Sequence, residues 1–155
     1  MKRKLFLLVS SILISILLIV SFIGFQYQNI DLSSISKVYG KVSIFEICEP
    51  KNHSKLLCVN LIDNDIQFGV YRYSKNFSDL LDKIDLGNLI EIYFIPHKNN
   101  SSINLDVVQI EQNDLIILSK KEFEEKYRIV MLVCLLGAII MFVLFYLFFK
   151  KKIAN

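Results

Sequence analysis

A chain of 155 residues has room for one compact domain. Its formal net charge of +3 is held by its tails: three Lys or Arg precede residue 5 and three follow residue 149, while the stretch between holds twelve against all fifteen acidic residues. The middle is therefore acidic, which excludes the basic surface a nucleic-acid binder needs and leaves the basic tails to be explained as membrane flanks.

Residues 5–25 carry no charge and follow Met1-Lys2-Arg3-Lys4. At about 1.5 Å per residue, such a run reaches roughly 30 Å as a helix, the thickness of a bilayer's hydrocarbon core. Residues 129–149 form a second uncharged run of the same length, followed by Lys150-Lys151-Lys152. The first run is longer than a secretory signal core, and its exit, Ser21-Phe22-Ile23-Gly24-Phe25-Gln26, has no small-x-small cleavage site, so it reads as an uncleaved signal anchor. Basic residues at both ends predict a cell-membrane protein of two spans, with both termini cytoplasmic and the central region outside. The expected division is a cytoplasmic tail at 1–4, a transmembrane helix at 5–25, a linker at 26–36 and an extracytoplasmic β-domain at 37–118; a juxtamembrane helix at 119–128, a second transmembrane helix at 129–149 and a cytoplasmic tail at 150–155 follow. Twenty-three Ile against two Ala point to AT-rich coding and fit a low-GC bacterium.

Between the runs the pattern turns to alternation, the mark of half-buried strands. Residues 38–48 read as one long strand, with Gly40 where a bend or bulge is tolerated; Pro50 and Asn52 mark a turn, and 55–62 form the return strand. Pairing residue 48 with 58 sets Phe45 opposite Leu61 and Ile47 opposite Val59 on an apolar face, and puts Cys48 opposite Cys58 and Glu46 opposite Asn60 on the other. Asp63-Asn64-Asp65 is a second turn, and 66–73 form a third strand. Phe77, Leu80, Leu81 and Ile84 then recur at helical spacing, a short amphipathic helix that Asn76 or Ser78 can cap and Gly87 can end. Residues 89–95 form a fourth strand stopped by Pro96, 97–102 a polar loop, 103–111 a fifth strand, Gln112-Asn113-Asp114 a turn and 115–118 a short sixth strand. Ser119-Lys120-Lys121-Glu122 matches a capping box, and no Gly or Pro lies between it and residue 129, so one continuous helix is expected from the β-domain into the second span.

Three strands, a helix and two further strands is the order of a five-stranded OB-type barrel. Val38-Tyr39-Gly40-Lys41-Val42, Gly87-Asn88-Leu89-Ile90-Glu91-Ile92-Tyr93 and Val107-Val108-Gln109-Ile110-Glu111 resemble the OB-like domains of bacterial two-span membrane proteins and, more distantly, those of NfeD-like membrane proteins. Asn88 stands where the NfeD-like pattern has Asp. The resemblance implies a membrane protein in which two transmembrane α-helices flank a small β-rich OB-like barrel with one short helix; it transfers no catalytic residue.

Cys48 and Cys58 form a candidate disulfide that an extracytoplasmic compartment permits, the alternative being two reduced strand residues. Cys134 lies within the second span as a packing or lipid-facing residue. His53 and His97 stand in polar turns, and the spacing of Cys48, His53 and Cys58 fits no zinc pattern. Asp63 and Asp65 lack the glycine and distal Glu of a calcium loop, while Asp79, Asp82 and Asp85 read as a solvated helix face. With no phosphate loop, nucleophile elbow or Ser-His-Asp grouping, no catalytic residue, metal or cofactor is expected, and the chain is not expected to be an enzyme. Tyr71, Arg72, Tyr73 and Tyr93 make one aromatic and basic cluster. It is the candidate ligand face if these residues serve as stacking platforms, and core packing is the competing use. Asn52, Asn76, Asn99 and Asn100 begin glycosylation sequons that matter only in a eukaryote.

These features lead to a non-enzymatic integral membrane protein whose extracytoplasmic β-domain binds or scaffolds another cell-envelope component. Its expected partners are the lipid bilayer and another envelope or membrane protein, with no nucleic acid. The alternatives are a small immunity-type protective membrane protein, or an OB-type receptor for a glycan or other ligand.

Overall fold

The computed structural model describes residues 2–50, 55–72, 76–96 and 103–153, with backbone alone at 2–7 and 149–153. The elements are α1 (Lys2–Tyr27), a 3-10 turn (Leu32–Ser34), β1 (Ser36–Cys48), β2 (Leu56–Leu61), β3 (Gln67–Val70), α2 (Ser78–Leu81), β4 (Leu89–Phe94), β5 (Ile103–Asn104), β6 (Val107–Gln112), β7 (Leu115–Leu118) and α3 (Lys120–Ile153). They fall into two compact units, 1–30 with 124–155, and 31–123.

In the helical unit, α1 and α3 each hold a stretch long and apolar enough to cross a membrane, the most apolar 18 residues having a mean hydropathy of 2.7 within Leu8–Tyr27 and 3.0 within Lys120–Phe148. Small residues let the two helices approach. Ser10, Ser21 and Gly24 of α1 and Ala138 of α3 are buried, and a Cβ on Gly24 would lie 3.0 Å from the Met131 Cβ and 3.1 Å from the Tyr127 carbonyl oxygen. The Ser21 hydroxyl donates to the Met131 carbonyl at 3.3 Å, and the Tyr27 and Tyr127 rings meet with centroids 4.8 Å apart. Close backbone approach with a polar contact is how helices associate where water supplies no hydrophobic drive between them. Cys134 is half-buried, while Leu8, Phe22, Val133, Phe142 and Tyr146 on the outward faces are all more than half exposed.

The other unit is a seven-stranded sheet in the order β5-β3-β2-β1-β4-β6-β7. Among the described residues its end strands do not pair with each other, so the ladder is open and the expected barrel is not closed by hydrogen bonds. The sheet nevertheless coils. β5 lies at one end of the order and β6 next to the other end, yet only Leu105 and Asp106 separate them, a step of about 10 Å at most. Asn104 makes this switch: its Oδ1 accepts from the Asp106 N–H at 2.9 Å and its Nδ2 donates to the Ile95 carbonyl at 3.0 Å, while the Ile95 N–H donates to the Asp106 carbonyl at 3.0 Å. This side-chain turn splits the single strand expected at 103–111.

The inner face of the coil is apolar. Val59, Phe68, Ile90, Ile92 and Ile110 are buried there, Phe68 meets Phe94 edge-on at 5.1 Å, and Phe77, Leu80 and Ile84 cover the cluster from the α2 region. The helix itself is a single turn, shorter than the apolar spacing suggests. Asn76 Oδ1 takes the Ser78 N–H at 3.1 Å ahead of it, and beyond it Gly87, at φ +84, turns the chain so that its N–H reaches the Val42 carbonyl at 2.8 Å.

The β1–β2 register differs from expectation by two residues: Phe45 faces Val59, Ile47 faces Leu57, Glu46 faces Cys58 and Cys48 faces Leu56. Because side chains alternate with period two, a two-residue shift preserves every face. The irregularity in β1 falls between Val42 and Ile44 and not at Gly40. Gly40 serves a close approach instead, since a Cβ there would lie 3.2 Å from the Leu61 Cβ. The face bearing the cysteines is covered as well: Leu56 and Cys58 are each 1% exposed, beside Ile103 and Leu105. At the β6–β7 turn, Asn113 and Asp114 both take positive φ, 50 and 63, as a tight primed hairpin requires. The capping box at α3 is half formed. Ser119 Oγ accepts from the Lys121 N–H at 3.3 Å, but both carboxylate oxygens of Glu122 accept from Arg72.

Candidate functional site

Arg72 follows β3 and is held from three directions. Its Nε and Nη2 donate to Glu122 at 2.9 and 2.8 Å, and Nη1 donates to the Asn76 carbonyl at 3.2 Å and to the Asp79 carboxylate. With its side chain 14% exposed, the guanidinium fastens the segment after β3 to α2 and to the first turn of α3. The hydrogen bond from Arg72 holds the Asp79 carboxyl below the usual carboxylate range. Tyr71 beside it is half-buried, and Tyr73 lies outside the described residues, as do His53, His97 and the sequons at 52, 99 and 100.

Tyr93 keeps different company. It alternates with the inward Phe94 on β4, so its ring turns to the outer face, where its hydroxyl donates to Glu91 at 2.7 Å. Lys37 on β1 bridges to the other Glu91 oxygen at 2.8 Å and stands 5.8 Å from the Tyr93 ring centroid. The hydrogen bond to Glu91, with burial and the charge of Glu111, pushes the Tyr93 hydroxyl up to about 12, while Lys37 and Tyr93 hold the Glu91 carboxyl down.

Cys48 and Cys58 are joined sulfur to sulfur with Cα atoms 5.9 Å apart. They are diagonal on the hairpin, two positions off direct opposition, and remain on one face. Cross-strand diagonals of this kind lie within the separation a disulfide bridges.

The outer face also carries a row that sequence reasoning missed. Ladder pairing sets Tyr39 opposite Glu91, Glu91 opposite Glu111 and Glu111 opposite Ile116 across β1, β4, β6 and β7. A cavity of about 290 Å³ opens there, lined by Tyr39, Leu89, Glu91, Glu111, Asn113 and Asp114. Like charges directly opposite on a sheet repel; Lys37 offsets Glu91, and Gln109 Nε2 donates to Glu111. Tyr39 is 64% exposed, so the cavity combines an aromatic platform with three carboxylates and no lining cation. Among the described residues no three His, Cys, Asp or Glu side chains are grouped to hold a metal ion. Alternation in the sequence places each of these residues on an outer face, but their juxtaposition needs a register between strands some fifty residues apart. No family model, curated protein or solved structure matches the chain.

Proposed function

We propose that the chain is a two-span membrane protein whose β-domain stands outside the cytoplasm and binds or scaffolds another component of the cell envelope without catalysing a reaction. One observation carries this reading: a single chain joins two helices apolar around their outward faces to a sheet whose core is complete, yet which still exposes Tyr39, Leu115 and Ile116. Exposed apolar side chains grouped at a sheet edge, as Leu115 and Ile116 are, are the kind of surface that a partner covers. An OB-like topology is supported by β1 lying between β2 and β4, by the parallel pairing of β3 with β5, and by the helical turn between β3 and β4. The basic tails favour cytoplasmic termini, and an oxidising exterior suits the Cys48–Cys58 bridge.

The test is photo-crosslinking in cells, with the crosslinker at Tyr39 and, separately, at Tyr71. A discrete adduct with an envelope protein from either position is the expected result, and none from both counts against protein binding. Protease added to spheroplasts should cut the central region and spare a C-terminal tag; loss of the tag overturns the orientation. Tyr39 beside carboxylates also suits stacking of a sugar ring. Binding of glycans by the full chain that is lost in Tyr39→Ala would favour that second reading.

A further inference from the structure

We propose that the free edge of β7 receives an extended, basic segment of a partner protein, which adds as a further strand and sets a Lys or Arg side chain beside Glu111 and Asp114. This deepens the binding role given to the β-domain and rests on it. Among the described residues β7 pairs with β6 alone, so its other side leaves backbone N–H and C=O groups unspent. Natural sheet edges are blunted with Lys, Pro or a bulge that turns the strand away. β7 reads Leu115-Ile116-Ile117-Leu118 and has neither charge nor proline; its register with β6 shifts at Ile117, so the regular edge is the Leu115-Ile116 end, where the two residues are 69% and 56% exposed. An edge of this kind offers main-chain pairing for affinity and side-chain contacts for selection.

The neighbouring charge specifies the occupant. Asp114 lies in the turn that opens β7, and Glu111 is one strand in, directly opposite Ile116. At a strand spacing of about 4.8 Å, an added strand would lie roughly 10 Å from the Glu111 backbone, a gap that a Lys or Arg side chain and the Glu side chain cross between them. The cavity lining holds three carboxylates and no basic group, and Lys37 engages Glu91 alone among them. An acidic peptide or an anionic lipid surface is repelled by this lining.

The experiment uses the full chain in nanodiscs and three synthetic peptides: acetyl-KVKVKVK-amide, acetyl-EVEVEVE-amide, and the basic peptide N-methylated at alternate residues so that it cannot pair along one edge. The basic peptide should bind at least about tenfold more tightly than the other two. Glu111→Gln combined with Asp114→Asn should weaken it by about tenfold or more. Ile116→Lys should abolish binding, and Lys83→Gln, at an exposed position just after α2, should leave it unchanged. Amide exchange across β4 must stay at the wild-type rate in each variant, which separates loss of the edge from loss of the fold. Equal affinity for basic and acidic peptides, indifference to N-methylation, or unaltered binding by the edge variants would overturn the proposal. So would quenching by brominated lipid of a fluorophore placed at Ile116. If these fail while Tyr71 still crosslinks an envelope protein, protein binding stands and the β7 edge does not carry it.

Discussion

Replacing Gly69 with Ala tests how the sheet is held where β3 meets β5. The added Cβ would lie 2.8 Å from Leu105 Cδ2, 2.9 Å from Ile103 Cγ2 and 3.4 Å from Leu56 Cδ1. Two effects oppose one another. Alanine restricts the unfolded chain, which stabilises by about 0.4–1 kcal/mol where the backbone tolerates it. Overpacking a filled site costs about 1–3 kcal/mol. Leu105 is half-buried and its tip can swing aside, but Ile103 is buried and β-branched, so its contact yields only by moving β5. The second effect wins, with a net loss of about 1–2 kcal/mol. For a unit spanning 31–123, each kcal/mol corresponds to about 4–8 °C in midpoint temperature. Thermal unfolding of the full chain in nanodiscs should show this shift, and amide exchange should accelerate at 67–70 and 107–112 before it does in β1. Adding Leu105→Ala should restore part of the loss, because the two side chains compete for one space. A Gly69→Ala protein as stable as wild type, with unchanged exchange, would refute the packing described for this face.

Two further outcomes follow from particular groups. With Cys48 and Cys58 bridged across a sequence separation of 10, a thiol reagent should label Cys134 alone in denaturant until reductant is added, and reduction should lower stability by about 2.5–3 kcal/mol; labelling of all three thiols without reduction would exclude the bridge. Tyr93 holds its proton to about 12 against an ordinary 10.0, so the hydrogen bond to Glu91 contributes fully below pH 10 and is lost as pH rises through the folded value. Tyr93→Phe should remove a component near pH 12 from the tyrosinate absorbance titration and flatten that alkaline loss, and an identical titration would refute the assignment.

Strand positions were legible because alternation is local: β7 falls at 115–118 and β4 at 89–94, close to where the pattern puts them. Register was less so, because the length of the turn after Pro50 is not written in the alternation; the two-residue shift went unseen while the faces survived. Misreadings cluster where a distant partner claims a side chain. Glu122 fits a capping box until Arg72, fifty residues earlier, takes its carboxylate, and Arg72 reads as a ligand-facing cation until that same bond is found. Asn104 reads as an ordinary strand residue because its turn depends on the Ile95 carbonyl. The row from Tyr39 to Ile116 needed three registers at once, none of which a single strand announces.

The two-residue step between β5 and β6 also governs the order of assembly during synthesis. Residues 103–112 pair with β3 at their start and with β4 along most of their length, so they have no complete berth until both are in place. Pairing of β1 with β4 already waits for some fifty residues of intervening chain, a non-local contact that forms slowly. A nascent chain halted before residue 103 therefore presents two unzipped seams at once, the outer sides of β3 and β4, and arrival of the next ten residues seals both. Exposure of those two seams to proteases and to other strands ends when residues 103–112 pair and Asn104 closes its turn.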